Sequence, residues 1–168
     1  MDYKEEQRLL RQLFIAINRV DGAYYLMARA MGLNENKLAV LYALSDGEAH
    51  TQKQVGEQWL IPKTTVHSVV QALERDGLAE VVREGRTREK ILRLTPEGER
   101  CTQALLGQLL AAEHRAIAAG IAEYGAGFVE GFLGFSDRLT RELDAAIRDI
   151  GKQKAAPPGG PEHTENRQ

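Results

Sequence analysis

The sequence predicts a mainly α-helical protein with one small β-hairpin, and three observations support this fold class. Apolar residues recur at intervals of three and four over most of the chain, which is the period of an amphipathic helix. Between residues 78 and 95 the pattern changes to two short apolar runs around a glycine-containing turn, as in a β-hairpin. Helix-start signals stand at the boundaries of the helical segments and divide them into six helices.

Composition narrows the class of protein. The chain has 168 residues, of which 43% are apolar and 27% charged, as in an ordinary folded protein. Its formal net charge is −2, so affinity for nucleic acid must come from a local basic patch. The single cysteine excludes an internal disulfide. The charged N-terminus does not resemble a signal peptide, and no apolar run approaches the roughly 20 residues that cross a bilayer. We therefore expect a cytoplasmic protein that does not contact a membrane.

The first predicted helix covers residues 4–30 and carries a long apolar stripe from Leu9 to Met27. Gly32 ends this helix. Asn34 is a suitable N-cap for a second helix, because its side-chain oxygen can accept a hydrogen bond from a free N–H of the first turn. The second helix is expected to end at the Asp-Gly pair that follows it.

Two further helices follow closely. Thr51 and Gln54 form a capping-box pattern that opens a short third helix. Pro62 suits the first turn of a fourth helix, because its missing N–H would have no partner there. Gly77 follows the fourth helix, and Leu78 is placed to fold back on it, as in a Schellman ending.

The C-terminal part is predicted to be helical and then disordered. Thr95, Pro96 and Glu97 combine a cap, a proline and an acid, which starts a fifth helix that runs to about residue 120. A sixth helix covers about 126–150. The remaining segment holds three of the five prolines and almost no large apolar side chain, which is typical of a disordered tail.

These elements predict three regions. Residues 1–33 and 96–151 form a helical region whose long first, fifth and sixth helices mediate dimerisation. Residues 34–95 form a winged helix-turn-helix that binds DNA, in which the hairpin is the wing. Residues 152–168 form the disordered tail.

The fourth helix carries the candidate recognition residues. Its apolar residues can fill a core shared with the third helix, which leaves polar side chains at its start and on its outer face. These are Lys63, Thr64, Thr65, His67, Ser68 and Gln71. Such short donors and acceptors suit phosphates and base edges in a major groove. Any amphipathic helix has a solvated polar face, so this helix by itself supports both interpretations.

The hairpin favours DNA binding. From Arg83 to Arg93 there are five basic and two acidic residues, a local balance of +3 in a protein that is acidic overall. Arg86 and Arg88 lie at or beside the predicted turn, residues 84–87. A basic hairpin directly after a helix-turn-helix suits insertion into a minor groove or contact along a phosphate backbone. Both arginines are therefore predicted to contact DNA.

Residues 34–100 resemble the core of the MarR family of bacterial regulators. The matching segments are Ile61–Val66 at the start of the fourth helix, Leu73–Leu78 at its end, Arg88 in the wing, and Leu94–Gly98 after it. The long helices on either side match the family's dimerisation region, so the resemblance covers the chain except for its tail. It implies a homodimer that binds double-stranded DNA at an inverted repeat, in most cases as a repressor, and that a small ligand often releases.

Two positions depart from the family pattern. The family commonly has an aspartate two residues before the wing arginine, and here that position holds Arg86 before Arg88. The wing therefore loses an acid–base brace and gains a cation. The turn between the third and fourth helices usually holds glycine, and here it holds Leu60. If this residue adopts a positive φ, the strain is about 1 kcal/mol; the alternative is a different path for the turn.

A small-molecule site is expected at the hinge between the dimerisation helices and the DNA-binding lobe. A ligand there can change the spacing of two recognition helices so that it no longer matches one turn of DNA. For this the ligand must bind the state with the mismatched spacing more tightly than the DNA-binding state. Tyr24, Tyr25 and Tyr42 offer aromatic walls, and His50 or Arg115 could meet an anionic group. The tyrosines equally suit ordinary core or interface positions. The family resemblance adds the expectation of a phenolic or aromatic-acid ligand.

Other classes of function are less well supported. No nucleophile–base pair, phosphate-binding glycine loop or pair of catalytic carboxylates stands out, so we expect no enzymatic activity, cofactor or metal. Cys101 is predicted to be a packing residue. A PadR-like regulator with another dimer scaffold, or a winged helix used only for protein–protein contact, remain alternatives. The long terminal helices argue against the first of these, and the basic wing argues against the second.

Overall fold

The structure, a computed structural model, describes residues 2–83 and 90–155, with side chains as far as residue 152. These residues form six α-helices and three β-strands, so the predicted mainly α-helical fold class is confirmed. The helices are α1 (Tyr3–Ala30), α2 (Glu35–Leu44), α3 (Gln52–Gln58), α4 (Lys63–Arg75), α5 (Pro96–Tyr124) and α6 (Gly127–Ala155). The strands are β1 (His50–Thr51), β2 (Ala79–Arg83) and β3 (Lys90–Leu94). The chain divides into two compact units, Met1–Glu113 and His114–Gln168.

The core of the first unit lies where α2, α3 and α4 pack against the sheet and the first part of α5. Its largest fully buried side chains are leucines and valines, and they come from all these elements: Val40, Val55, Val66, Val70, Leu73, Leu92 and Leu106. Burying these side chains together fixes which face of each helix points outward, because their removal from water is the main favourable contribution to folding.

The start of α3 is stabilised by the predicted capping box. The Gln54 N–H donates to Thr51 Oγ1 at 3.1 Å, and the Thr51 N–H donates to Gln54 Oε1 at 2.7 Å. Further along α3, a Cβ atom at Gly56 would lie 3.1 Å from the carbonyl oxygen of Ile61, so glycine lets the turn after α3 pass closely over it. The sequence predicted Pro62 in the first turn of α4, but in the structure Pro62 is the N-cap of this helix. Its carbonyl accepts the first helical hydrogen bonds.

The turn between α3 and α4 keeps the path that normally requires glycine. Leu60 has φ of +50°, and its side chain is 90% exposed. Its neighbour Ile61 is buried in the core. The turn therefore takes the strained alternative, in which a leucine occupies the left-handed region to bring the next residue into the core.

The end of α4 is the predicted Schellman motif. Gly77 has φ of +70° and its N–H donates to the Glu74 carbonyl at 3.0 Å, while the Leu78 N–H donates to the Leu73 carbonyl at 2.8 Å. These two bonds satisfy carbonyl groups that the helix end leaves free, and they turn the chain into β2.

The strands form one antiparallel sheet in the order β1-β3-β2. In the register of β2 and β3, Ala79 pairs with Leu94 and Arg83 with Lys90. The strand β1, which pairs His50 with Leu92, was not predicted from the sequence. Two residues are too few to show an alternating pattern, so only their pairing with β3 identifies them as a strand. The hairpin turn, with Arg86 and Arg88, lies outside the described residues.

The start of α5 is fixed to the end of α4. Thr95 caps α5 by accepting from the Gly98 N–H at 3.0 Å, and its hydroxyl donates to the Gly77 carbonyl at 2.7 Å. The Thr95 N–H donates to the Leu78 carbonyl at 3.0 Å. A Cβ atom at Gly98 would overlap that same carbonyl, so the contact requires glycine.

The second unit contains the end of α5 and all of α6. Gly125, with φ of +74°, stands between these two helices. No residue in the part of α6 whose side chains are described is buried. The predicted tail boundary at residue 152 is wrong, because α6 continues to Ala155. The rest of the predicted tail lies outside the described residues.

Within the described parts of the chain, no single helix is long and apolar enough to cross a membrane, although α5 and α6 taken together pass the same test of length and composition.

Candidate nucleic-acid interface and ligand cavity

The outer face of α4 presents the predicted recognition residues to solvent. Lys63, Thr64, His67, Ser68 and Gln71 are exposed, and Thr65 is half-buried. The opposite face is fixed by three fully buried side chains, those of Val66, Val70 and Leu73. Because the core sets the rotation of α4 about its axis, the polar residues project outward as one surface.

Two of these residues interact within the helix. The Ser68 hydroxyl donates to the Thr64 carbonyl at 2.9 Å. Its proton is engaged in the helix, so towards DNA it offers acceptor lone pairs, and a phosphate contact would require the hydroxyl to rotate. Lys63, His67 and Gln71 are exposed on the same face and carry N–H groups that can donate to DNA.

A groove of about 400 Å³ joins this face of α4 to the base of the wing. It is lined by residues of four elements: Gln52, His67, Gln71, Glu74, Val81, Arg83 and Lys90. From the sequence, Arg83 and Lys90 were expected only as part of the wing's charge, and Gln52 carried no signal of a role in the interface. Gln52 starts α3, and no local pattern links it to α4, so its position beside Gln71 depends on how the helices pack.

Arg83 and Lys90 are directly opposite each other at the open end of β2 and β3. Directly opposed side chains of an antiparallel pair lie on the same face, and like charges in this arrangement repel. Both residues are exposed and line the groove beside His67 and Gln71. A phosphate group placed between the two cations would remove this repulsion.

One carboxylate, that of Glu113, links three helices of the first unit by hydrogen bonds. Glu113 on α5 accepts a hydrogen bond of 2.5 Å from the Tyr24 hydroxyl on α1 and one of 2.9 Å from the Tyr42 hydroxyl on α2. Burial, together with the hydrogen bond to Glu113 and its negative charge, raises the pKa of both tyrosines. Both hydroxyls therefore stay protonated and act as donors.

Tyr42 also lines a cavity of about 380 Å³ beside the end of α2. The other lining residues are Ala43, Ser45, Asp46, His50, Gln58, Trp59 and Leu110. The rings of Tyr42 and Trp59 meet edge to face with centroids 5.3 Å apart. His50 Nε2 lies 2.9 and 3.0 Å from the two carboxylate oxygens of Asp46. This contact, followed by the Glu48 N–H, lowers the pKa of Asp46.

The predicted ligand residues are therefore only partly brought together. Tyr42 and His50 line the same cavity, while Tyr24 is not among its described lining residues and shares only the acceptor Glu113 with Tyr42. Tyr25 instead contacts Arg29, whose guanidinium donates to the tyrosine hydroxyl at 3.2 Å and lies over its ring. Arg115 is exposed and belongs to the second compact unit.

Comparison with known proteins identifies the family. A family model described as MarR family matches residues 31–88. The structure of a MarR family regulator from Neisseria meningitidis matches with a TM-score of 0.68 and 28% sequence identity, over 84% of this chain and 98% of that chain. The chain belongs to the MarR family. It is a transcription regulator with a winged-helix fold, and not an enzyme.

More distant structures share the fold of this MarR family protein. A MarR family transcriptional regulator from Silicibacter pomeroyi matches with a TM-score of 0.60 and 23% identity, over 76% of this chain and 93% of that chain. The structure of NadR in complex with 4-hydroxyphenylacetate matches with a TM-score of 0.58 and 18% identity, over 77% of this chain and 88% of that chain. A comparison with curated proteins found no match.

The cysteine of this MarR family protein is not a packing residue in the single chain, which corrects the sequence-based prediction. Cys101 is exposed, and its thiol donates to Glu97 at 3.4 Å. That hydrogen bond raises the pKa of the thiol, so the reactive thiolate is disfavoured. Among the described residues, no three or more His, Cys, Asp or Glu side chains are placed to hold a metal ion.

Proposed function

We propose that this protein is a homodimeric repressor that binds a near-palindromic operator and is released by a small aromatic ligand. The observation that carries the proposal is the continuous polar surface formed by α4 and the wing base. On it, His67 and Gln71 share a groove with Arg83 and Lys90. This surface combines hydrogen-bonding groups suited to base edges with cations suited to phosphates.

Each candidate contact has a role that follows from its chemistry. Thr64, Thr65, His67 and Gln71 are proposed to contact base edges, while Lys63 and Ser68 are proposed to contact phosphates. Arg86 and Arg88, together with Arg83 and Lys90 at the wing base, supply electrostatic affinity. Residues 34–95 thus form the DNA-binding domain of the proposal.

Dimerisation through residues 1–33 and 96–151 is supported by apolar surface that the single chain leaves uncovered. On α1, large apolar side chains are exposed along the length of the helix: Leu9, Leu10, Phe14, Ile15, Val20 and Leu26. On α6, exposed apolar side chains are Phe128, Phe132, Leu133, Leu143, Ile147 and Ile150. Apolar surface of this extent marks an interaction site, and a two-fold pairing of identical helices would cover it.

A dimer also explains the proposed operator. Two α4 helices related by a two-fold axis would reach successive major grooves about 34 Å apart, so the two half-sites would form an inverted repeat. A dimer bound over a promoter blocks access to it, which is the proposed mode of repression. The cavity beside Tyr42 and Trp59 is the proposed ligand site, and NadR in complex with 4-hydroxyphenylacetate is a precedent for an aromatic ligand within this fold.

The test is an electrophoretic mobility shift with the DNA upstream of the protein's own gene and with random DNA of equal length. We expect the affinity for the specific fragment to be at least about a thousandfold higher, since regulators bind their specific sites more tightly than non-specific DNA by this factor or more. Light scattering on the same preparation should give the mass of a dimer. Equal affinity for both DNAs, or a stable folded monomer at micromolar concentration, would refute the proposal, and no shift with either DNA would favour a protein–protein interaction module.

A further inference from the structure

The cavity beside the end of α2 has a negative electrostatic character. Asp46 is part of its lining, and Tyr42 holds the carboxylate of Glu113 at hydrogen-bond distance from the cavity wall. Lys and Arg are not found among the described residues that line it. His50 is the only basic group of the lining, and its Nε2 already contacts Asp46. An anionic ligand would therefore meet the Asp46 carboxylate in the lining, with the Glu113 carboxylate one hydrogen bond beyond Tyr42, and would find no lysine or arginine there.

The aromatic walls of the same cavity suit a cation. Tyr42 and Trp59 meet edge to face, and both line the cavity. The faces of tyrosine and tryptophan rings are negative and attract an ammonium group, and tryptophan is the strongest of the aromatic side chains in this respect. A cation next to these rings would also be attracted by Asp46, which lines the cavity, and at longer range by Glu113, which is hydrogen-bonded to Tyr42.

We propose that the cavity binds an organic cation with an aromatic body, and that this cation is the ligand class that controls DNA binding. The inference rests on the proposed function, since it specifies the ligand of the proposed regulatory site. It differs from the expectation of an aromatic acid. That expectation needed His50 or Arg115 as the counter-charge, but His50 Nε2 already contacts the two carboxylate oxygens of Asp46, and Arg115 is not among the described residues that line the cavity.

The sole tryptophan of the chain makes this inference testable without DNA. Because Trp59 lines the cavity, its fluorescence reports binding there. The full chain is titrated with three compounds that share one phenyl body: 2-phenylethylamine as the cation, 2-phenylethanol as the neutral compound and phenylacetate as the anion. We expect saturable quenching by the amine, with a dissociation constant at least about tenfold below that of phenylacetate, and intermediate binding of the alcohol.

Matched variants locate the charge effect. Glu113→Gln and Asp46→Asn each remove one carboxylate and should weaken amine binding about tenfold while leaving 2-phenylethanol binding unchanged. Glu35→Gln removes one charge from an exposed position at the start of α2 and should change neither. Near-ultraviolet circular dichroism checks that each variant keeps its tertiary packing. If both cavity variants lose their packing, the comparison of the three compounds on the unchanged protein still decides.

Fluorescence and DNA binding separate this inference from the proposed function. Phenylacetate binding as tightly as the amine, or no saturable binding of the amine by fluorescence and equilibrium dialysis, would overturn the cation site while specific DNA binding stands. Loss of the mobility shift in the absence of any ligand would refute the proposed function instead. Amine that binds Trp59 but does not weaken the protein–DNA complex would show that the site is not regulatory.

Discussion

The hydroxyl of Tyr42 donates a 2.9 Å hydrogen bond to the carboxylate of Glu113, a residue 71 positions later in the chain. Tyr24 donates to the other oxygen of the same carboxylate. One side chain of α5 thus holds α1 and α2, and Tyr42 in turn forms a wall of the cavity. A ligand that displaced the Tyr42 ring would disturb the contact between α1, α2 and α5.

Glu113→Ala is expected to destabilise the protein by roughly 1–2 kcal/mol. The reason is that both tyrosine hydroxyls lose an ionised acceptor. The expected loss of stability lies at the lower end of the range for hydrogen bonds to charged groups, because the tyrosines are only partly buried. Urea unfolding at one fixed protein concentration measures the change, since dimerisation is linked to stability. Glu113→Gln keeps an acceptor oxygen and should lose less than half as much. Equal losses in the two variants would show that a neutral acceptor oxygen at this position contributes nothing to stability.

Gly98→Ala is expected to destabilise the protein by about 1–3 kcal/mol or more, because the added methyl group meets the Leu78 carbonyl and forces α5 away from the end of α4. Gly107→Ala, in the exposed middle of the same helix, is the matched control. A Cβ atom there meets nothing within 4 Å, so this variant should gain about 0.5–1 kcal/mol from helix propensity. Thermal unfolding of both variants should shift in opposite directions.

Leu60→Gly is expected to stabilise the protein by about 0.5–1 kcal/mol, because glycine removes the strain of a positive φ and the exposed leucine side chain contributes little burial. Leu60→Ala keeps the strain and should leave the free energy of unfolding unchanged. If Leu60→Gly instead destabilises the protein, the leucine side chain contacts a partner that the single chain does not contain, and analytical ultracentrifugation should then show weaker dimerisation.

Gln71→Ala is expected to relax the preference at one base pair in each half-site, by about 1–3 kcal/mol. A neutral amide on the outer face of α4 can bind a base edge with two hydrogen bonds. Competition binding with operators mutated at each position measures the effect. Lys63→Ala provides the contrast, because loss of a phosphate contact should weaken specific and random DNA alike. If Gln71→Ala weakened binding to specific and random DNA equally, Gln71 would position the protein on DNA and would not read a base.

Neutralising the wing should reduce the salt dependence of DNA binding. Arg83→Ala, Lys90→Ala and Arg88→Ala are each expected to reduce the slope of log K against log salt by about one to two units, since each removes two phosphate contacts from a dimer. Arg86→Ala should act in the same way. Arg148→Ala, on the exposed surface of α6, serves as the control and should leave the slope unchanged. Unchanged slopes in all the wing variants would mean that the wing does not touch DNA.

Features that depend on neighbouring residues could be predicted from the sequence alone. The capping box of Thr51 and Gln54 and the Schellman ending at Gly77 are each formed within a few residues, so the residues that make them are adjacent in the sequence. The amphipathic period of α4 predicted its outer face for the same reason, because the helix period fixes which residues share a side.

Features that depend on packing between distant elements could not be predicted in this way. The strand β1 exists only because His50 and Thr51 pair with β3. Gln52 reaches the α4 groove through the crossing of α3 and α4, and a glycine at position 56 allows the close passage of the turn between them. Each of these contacts joins residues whose spacing in the sequence carries no periodic signal.

The sequence by itself determined the fold class, the order of the helices and the residues on the outer face of α4, because local hydrogen bonding and apolar periodicity specify them. Only the tertiary structure decided that Tyr24 and Tyr42 meet at Glu113 and that Asp46 lines one cavity with Tyr42 and Trp59. The charge of a cavity is the sum of side chains from several elements, and their distances follow from core packing. The sequence therefore indicated an aromatic ligand site, whereas the charge that we propose for its ligand rests on side chains that only packing brings together.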